Sequence, residues 1–240
     1  MKLKSGIFIL LVLFGHQCLS QTRDTSTVNL KAVIVPTSLI IYGTWGTYSN
    51  WGLNTNLNVK SKIGSNGNTK VEDYFVLSPA VAVYGLNLLG VKGKHNFKDR
   101  TILLGSSYAM LTPVVLGVKE WSGVLRPDAS EYTSFPSGHS AFAFASAEFL
   151  RLEYRDRSPW YGIIGYAVAS TTGVLRIHNN KHWFTDVTAG AGLGILATNT
   201  AYWIHPWLKK KVFKNSSERK VILIPTVSQQ HTGIVFEMQF

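Results

Sequence analysis

The sequence is short of cysteine, of acidic residues and of charge in general. Its 240 residues include one cysteine, which excludes a disulfide scaffold and a cysteine-rich metal site. Charged residues make up 15%, against about a quarter in soluble domains. Asp and Glu number 13 against 24 Lys and Arg, a formal charge of +11. Proline is scarce at 8 residues, while 45% of the chain is hydrophobic and 12% aromatic. That balance excludes a disordered or collagen-like chain, and the length fits one domain. A basic chain with so few charges suits nucleic acid, an anionic membrane or a phosphate-bearing substrate.

Residues 1–20 are expected to be a signal peptide. Lys2 and Lys4 precede an apolar run, Ile7 to Phe14, and Cys18 and Ser20 stand at −3 and −1 of a cut before Gln21. An uncleaved N-terminal anchor is the alternative. Residues 21–70 read as an N-terminal lead with a short helix at 37–51 and a loop at 52–70. Residues 71–208 read as a helical-bundle domain. Its uncharged stretches, Tyr74–Val91, Thr101–Val118, Ser158–Leu175 and Val187–Leu208, are joined by a fifth, Tyr132–Ala147. Residues 209–240 read as a basic segment and a β-hairpin, because Ile234, Phe236, Met238 and Phe240 alternate as one strand face does. The expected class is all-α, with about five to six core helices and a small C-terminal β-hairpin.

Three segments carry chemistry. Lys119 stands before Arg126-Pro127. Pro136-Ser137-Gly138-His139 opens a helix expected from about Ser137 to Leu152. Arg176 is followed by His182 and Asp186. A helix N-terminus offers free N–H groups and partial positive charge to a phosphate, and Gly138 admits close approach. His182 and Asp186, four apart, share a face on a helix. Asp186 would then accept a hydrogen bond from the imidazole and leave its other nitrogen free to attack. Lys119, Arg126 and Arg176 supply cations at helix ends for the phosphoryl oxygens. His139 is placed to protonate a leaving oxygen.

The three motifs together resemble the type 2 phosphatidic acid phosphatase family, which includes class A acid phosphatases and vanadium haloperoxidases. The resemblance covers about residues 71–204. It implies a helical bundle, a phosphohistidine on His182 oriented by Asp186, and His139 as general acid. It also implies phosphate binding by Lys119, Arg126, Ser137, Gly138 and Arg176, and no metal or other cofactor. Leu175 departs from the Ser common at its place. The spacer Asp128–Phe135 is short, which leaves little room for a lid and favours an open site.

Other features keep two readings each. His178, His182 and Asp186 have a spacing that can bind zinc. Trp121, Trp160, Trp183, Trp203 and Trp207 read equally as an interfacial belt or as core. Lys209-Lys210-Lys211 suits a membrane-surface anchor better than nucleic acid, for which no supporting motif exists. Thirteen Lys and Arg fall in 92–100, 151–157 and 209–220, which a bundle with its motifs at one end would gather at the other. That is a positive-inside pattern, with the site facing the periplasm. The expectation is an exported, membrane-associated envelope phosphatase, spanning or peripheral, acting on a phosphorylated lipid or small phosphate ester. A soluble periplasmic acid phosphatase, a vanadate-dependent haloperoxidase and a non-catalytic phospholipid-binding protein are the alternatives.

Overall fold

A computed structural model describes residues 30–64, 67 and 69–213, and the backbone of 220–227 and 232–239. The expected signal peptide lies outside the described residues. From 30 to 213 the chain is all helical. The elements are α1 (Leu30–Thr47), α2 (Asn50–Ile63), α3 (Val71–Leu88), α4 (Phe97–Ser122), α5 (Gly138–Tyr154), α6 (Trp160–His178) and α7 (Phe184–Phe213).

The N-terminal lead departs from the sequence expectation. In place of one short helix and a loop it forms two helices, α1 and α2. Pro36 suggests a helix start, yet it lies inside α1. Ser49 separates the pair, its side chain accepting a hydrogen bond from Gly52 N as an N-cap. Gly64, at φ 78°, ends α2. The polar run between them is helical because a tertiary partner supports it. Asn56 is buried and exchanges hydrogen bonds with Thr185, donating to its Oγ1 and accepting from its N, both at 3.1 Å.

α5 and α7 form the centre of the bundle, with α1, α4 and α6 packed around them. Most of α5 is buried, and Ala141, Ala143, Ala145 and Ala147 are wholly so. Small residues let the backbones meet. A Cβ on Gly190 would stand 2.5 Å from the Ser137 carbonyl oxygen, and one on Gly194 would run into that of Ala141. Glycine at these positions sets the distance between α5 and α7.

The motifs gather as the bundle requires. The start of α3, the end of α4, the start of α5, the end of α6 and the start of α7 share one end. At the other end the His95 amide donates to Glu153 Oε2 at 3.1 Å, and Lys209 Nζ donates to Asp99 Oδ2 at 2.8 Å.

Gly190→Ala should force α5 and α7 apart and cost about 1–3 kcal/mol, as overpacking does. A lowered thermal midpoint is expected, and an unchanged one contradicts this account of the seam.

Candidate active site

The site begins with the turn into α7. Trp183 precedes that helix, and Asp186 reaches back from the third helical position to accept from Trp183 N at 2.8 Å. That is half of a capping box. The same Oδ2 accepts from Ser134 Oγ at 2.5 Å. The Asp186 carbonyl oxygen accepts from Ser137 N at 3.1 Å, which ties the start of α5 to the start of α7.

His182 differs from expectation in its partner. It lies in the loop before α7, not on a helix with Asp186. Its Nδ1 meets the Ser134 carbonyl oxygen at 2.7 Å, while Asp186 Oδ2 is 3.7 Å away. A carbonyl only accepts, so Nδ1 carries the proton and Nε2 bears the lone pair. Nε2 has no hydrogen-bond partner among the described residues. Asp186 therefore holds the imidazole at one remove, through Ser134, because its nearer oxygen is engaged in capping α7.

The spacer 128–135 is a wall of the site. Ser134 is buried and braces His182. The Thr133 carbonyl oxygen accepts from Lys119 Nζ at 2.6 Å, and Glu131 Oε2 lies 3.0 Å from Arg126 Nη2. Asp128 pairs with Lys181 at 2.8 Å. The open site expected from a short spacer is not found at His182, which is 2% exposed.

The cations converge. Lys119 stands in the last turn of α4 and Arg176 in the last turn of α6. Arg126 is in the loop after α4 and not at a helix end. Arg126 and Arg176 both act on the charge of Lys119, and Lys119 and Arg176 both act on that of His182. The Nε atoms of Arg126 and Arg176 are buried without hydrogen-bond partners. Ser137 caps α5, accepting from Ser140 N and Ser140 Oγ. Gly138 is the first residue of α5, and a Cβ there would lie 3.8 Å from Lys119 Cε. His139 is half-buried on the next position, with Nε2 2.8 Å from Asp73 Oδ1.

Two acids at the start of α3 escape sequence reasoning. Glu72, 3% exposed, pairs with Arg176 Nη1 at 3.3 Å and accepts from Asn179 Nδ2 at 2.6 Å. Asp73 engages His139. Acids in a first helical turn are ordinary dipole partners, so nothing local marks these two. His178, His182 and Asp186 form no metal cluster, and among the described residues no group of three His, Cys, Asp or Glu is placed to hold an ion. The reason is that the three fall on α6, a loop and α7, so helical spacing does not apply.

Residues 119–210 match the model of the PAP2 superfamily. The chain carries a PAP2 superfamily domain. The matched segment contains all eight expected site residues. Over 137 residues the chain is 42% identical to a lipid A 1-phosphatase of Porphyromonas gingivalis, covering 57% of this chain and 31% of that protein. Over 75 residues it is 35% identical to the bacitracin transport permease protein BcrC of Bacillus licheniformis, covering 31% of this chain and 35% of that one. The chain thus spans about a third of the length of these curated relatives. A transmembrane PAP2-type phosphatidylglycerolphosphate phosphatase from Bacillus subtilis shares the fold. It superposes with a TM-score of 0.50 at 21% identity, covering 77% of this chain and 98% of that one.

Burial pushes the His182 imidazole down to about 4. The nearby Asp186 carboxylate opposes the shift, and the charges of Lys119 and Arg176 add to it. The PAP2 domain therefore keeps this ring neutral where an ordinary histidine gains a proton. As pH falls from the ordinary imidazole value toward 4, the unfolded chain takes up a proton that the folded chain does not, so stability drops. An NMR titration of His182 should show a midpoint near 4, and one near the ordinary value contradicts this burial.

Proposed function

We propose that the chain is a metal-independent phosphatase of the bacterial envelope. It hydrolyses a phosphomonoester or pyrophosphate, most naturally of a lipid, through a phosphohistidine on His182. One arrangement carries this reading. A buried neutral imidazole has its Nδ1 anchored and no partner for Nε2 among the described residues, the charges of Lys119 and Arg176 act on it, and Arg126 and Arg176 keep buried Nε donors without partners. Unpaired buried donors are costly, and a phosphoryl group satisfies them.

In this mechanism the Nε2 lone pair of His182 forms a bond to phosphorus as the bond to the leaving oxygen breaks. The electron pair departs on that oxygen, and His139 supplies its proton. The Ser134 carbonyl and Asp186 stabilise the cationic imidazole that forms. Lys119, Arg126, Arg176 and the N–H groups at Ser137 and Gly138 hold the equatorial oxygens, where charge is spread in the transition state. Water then gives a proton to His139 and attacks phosphorus, the P–N bond breaks, and inorganic phosphate leaves.

The lipid substrate is supported by the P. gingivalis relative, whose name specifies a lipid phosphate. Phosphatidate-type lipids, undecaprenyl pyrophosphate and lipid A are the candidates. Membrane association is supported by α4, which is long and apolar enough to cross a membrane, with mean hydropathy 1.6 and only 22% of its apolar window buried. Trp121 near the site end and Trp160 and Trp207 near the other are largely exposed, as an interfacial belt requires. The Lys and Arg residues of 92–100, 151–157 and 209–211 lie at the end away from the site, which by the positive-inside rule supports a site facing the periplasm. The C-terminal β-hairpin belongs to this reading too. It is supported by antiparallel pairing of β1 (Lys220–Val227) with β2 (Thr232–Gln239), Lys220 opposite Gln239.

Phosphate release across lipid phosphates, lipid pyrophosphates and soluble monoesters, with EDTA present, tests the proposal. His182→Ala should lower turnover by about a thousandfold or more. Arg176→Ala should lower kcat/KM by about a hundredfold, as loss of a transition-state donor does. Full activity of His182→Ala, or loss of activity in EDTA, overturns the mechanism. With the native chain, the acid limb of kcat/KM should lie near 4, because the attacking imidazole must be neutral.

A further inference from the structure

A second anion-binding feature lies at the end of the bundle remote from His182. A cavity of about 540 Å³ opens between the last turn of α3, the connection 89–96 and the first turn of α4. Glu72 and Leu88 bracket α3, so about 24 Å of helix separates this cavity from the catalytic end. One side is apolar, with Tyr84, Leu88 and Phe97; the other is cationic, with Lys92, Lys94 and Arg100. A smaller cavity of about 150 Å³ adjoins it at the two lysines and is lined also by Glu153, Asp156 and Arg157.

Arg100 is the built element. It is 4% exposed and lines the cavity. Its Nη2 donates to Asn87 Oδ1 at 2.7 Å and to the His95 carbonyl at 2.8 Å, both neutral groups. Its Nε is buried without a hydrogen-bond partner, 3.8 Å from Glu153 Oε2. Glu153 is already shared, accepting from the His95 amide and from Tyr202 Oη and lying 2.7 Å from His95 Nδ1. It therefore offsets the guanidinium only in part. Lys92 and Lys94 are exposed above it, and the positive end of the α4 dipole points the same way. Leu88, Leu89 and Phe97, 89%, 82% and 71% exposed, continue the apolar side outward.

A phosphate held between Lys92, Lys94 and Arg100, with hydrocarbon beside Leu88, Leu89 and Phe97, fits both sides at once. We propose that this cavity binds the phosphate-bearing headgroup of an anionic phospholipid at the membrane surface opposite the catalytic end. It binds without hydrolysing, because His95 is the one imidazole lining it and no second histidine is there to protonate a leaving oxygen. A lipid seated there would fix the depth and orientation of the bundle relative to the bilayer.

The test is photocrosslinking of the full chain in phosphatidylcholine nanodiscs that contain a headgroup-photoactivatable phosphatidylglycerol, with labelled peptides mapped by mass spectrometry. Label is expected within residues 84–100. Joint Lys92→Ala and Lys94→Ala should lower it about thirtyfold, in line with about 1 kcal/mol for each basic residue at an anionic surface. A charge-matched pair at the same end, Arg155→Ala with Lys211→Ala, should leave it unchanged. Hydrolysis of a soluble phosphomonoester by the Lys92/Lys94 variant should also be unchanged, which shows that the variant is folded. Three results overturn the proposal. One is equal label on 84–100, 151–157 and 209–211. Another is equal loss in both variant pairs. The third is competition by inorganic phosphate as strong as by short-chain phosphatidylglycerol, which makes the occupant a free anion.

Discussion

The structure depends on two helix N-termini, those of α5 and α7, held against each other. Ser137 N donates to the Asp186 carbonyl, and Ser134 Oγ donates to the Asp186 carboxylate. Gly190 permits the approach because a side chain there would strike the Ser137 carbonyl. Two positive dipole ends in proximity repel, so the seam is stable only with acceptors between them. Asp186 supplies acceptors to both sides. It caps α7 through Trp183 N and fixes Ser134, whose carbonyl then fixes His182. The seam that organises the bundle thus also sets the imidazole tautomer.

Around that seam, charge is arranged by a consistent rule. Cations facing the inferred phosphate position keep donors unused, as at Arg126 and Arg176. Carboxylates sit behind them: Glu131 behind Arg126, and Glu72 behind Arg176. The carboxylates orient the guanidinium groups and limit their mutual repulsion before an anion arrives. The opposite end is built differently. Glu153, Asp99, His95, His205 and Lys209 form a closed polar cluster that ties α4, α5 and α7 together. Arg100, paired with Glu153, and His95 join that cluster to the adjoining cavity.

Much of the site was legible in the sequence because its residues are tied to local backbone features. Ser137 is an N-cap, Gly138 opens a helix, and Lys119 and Arg176 end helices, all positions that propensity and charge pattern mark. The charge-bounded apolar runs mark the places of α3 through α7 but not their ends, since α5, for one, continues through Glu148, Arg151 and Glu153. The N-terminal lead was not legible. The stretch Asn50–Ile63 is polar, and it is helical because Asn56 finds Thr185 far along the chain. Glu72 and Asp73 were hidden by an equally good local explanation as first-turn acids.

The sequence by itself determined the all-helical body, the PAP2 motifs and the separation of the motif cations from the basic opposite end. These are properties of residue type and short-range spacing. Only the tertiary structure decided what His182 bonds to. Its partner is the backbone carbonyl of Ser134, and every residue has a carbonyl, so no side-chain pattern could single that one out. The spacing of His182 and Asp186 suggested a direct pair. In the folded chain Asp186 Oδ2 instead accepts from Trp183 N and Ser134 Oγ, and the imidazole lies 3.7 Å from it.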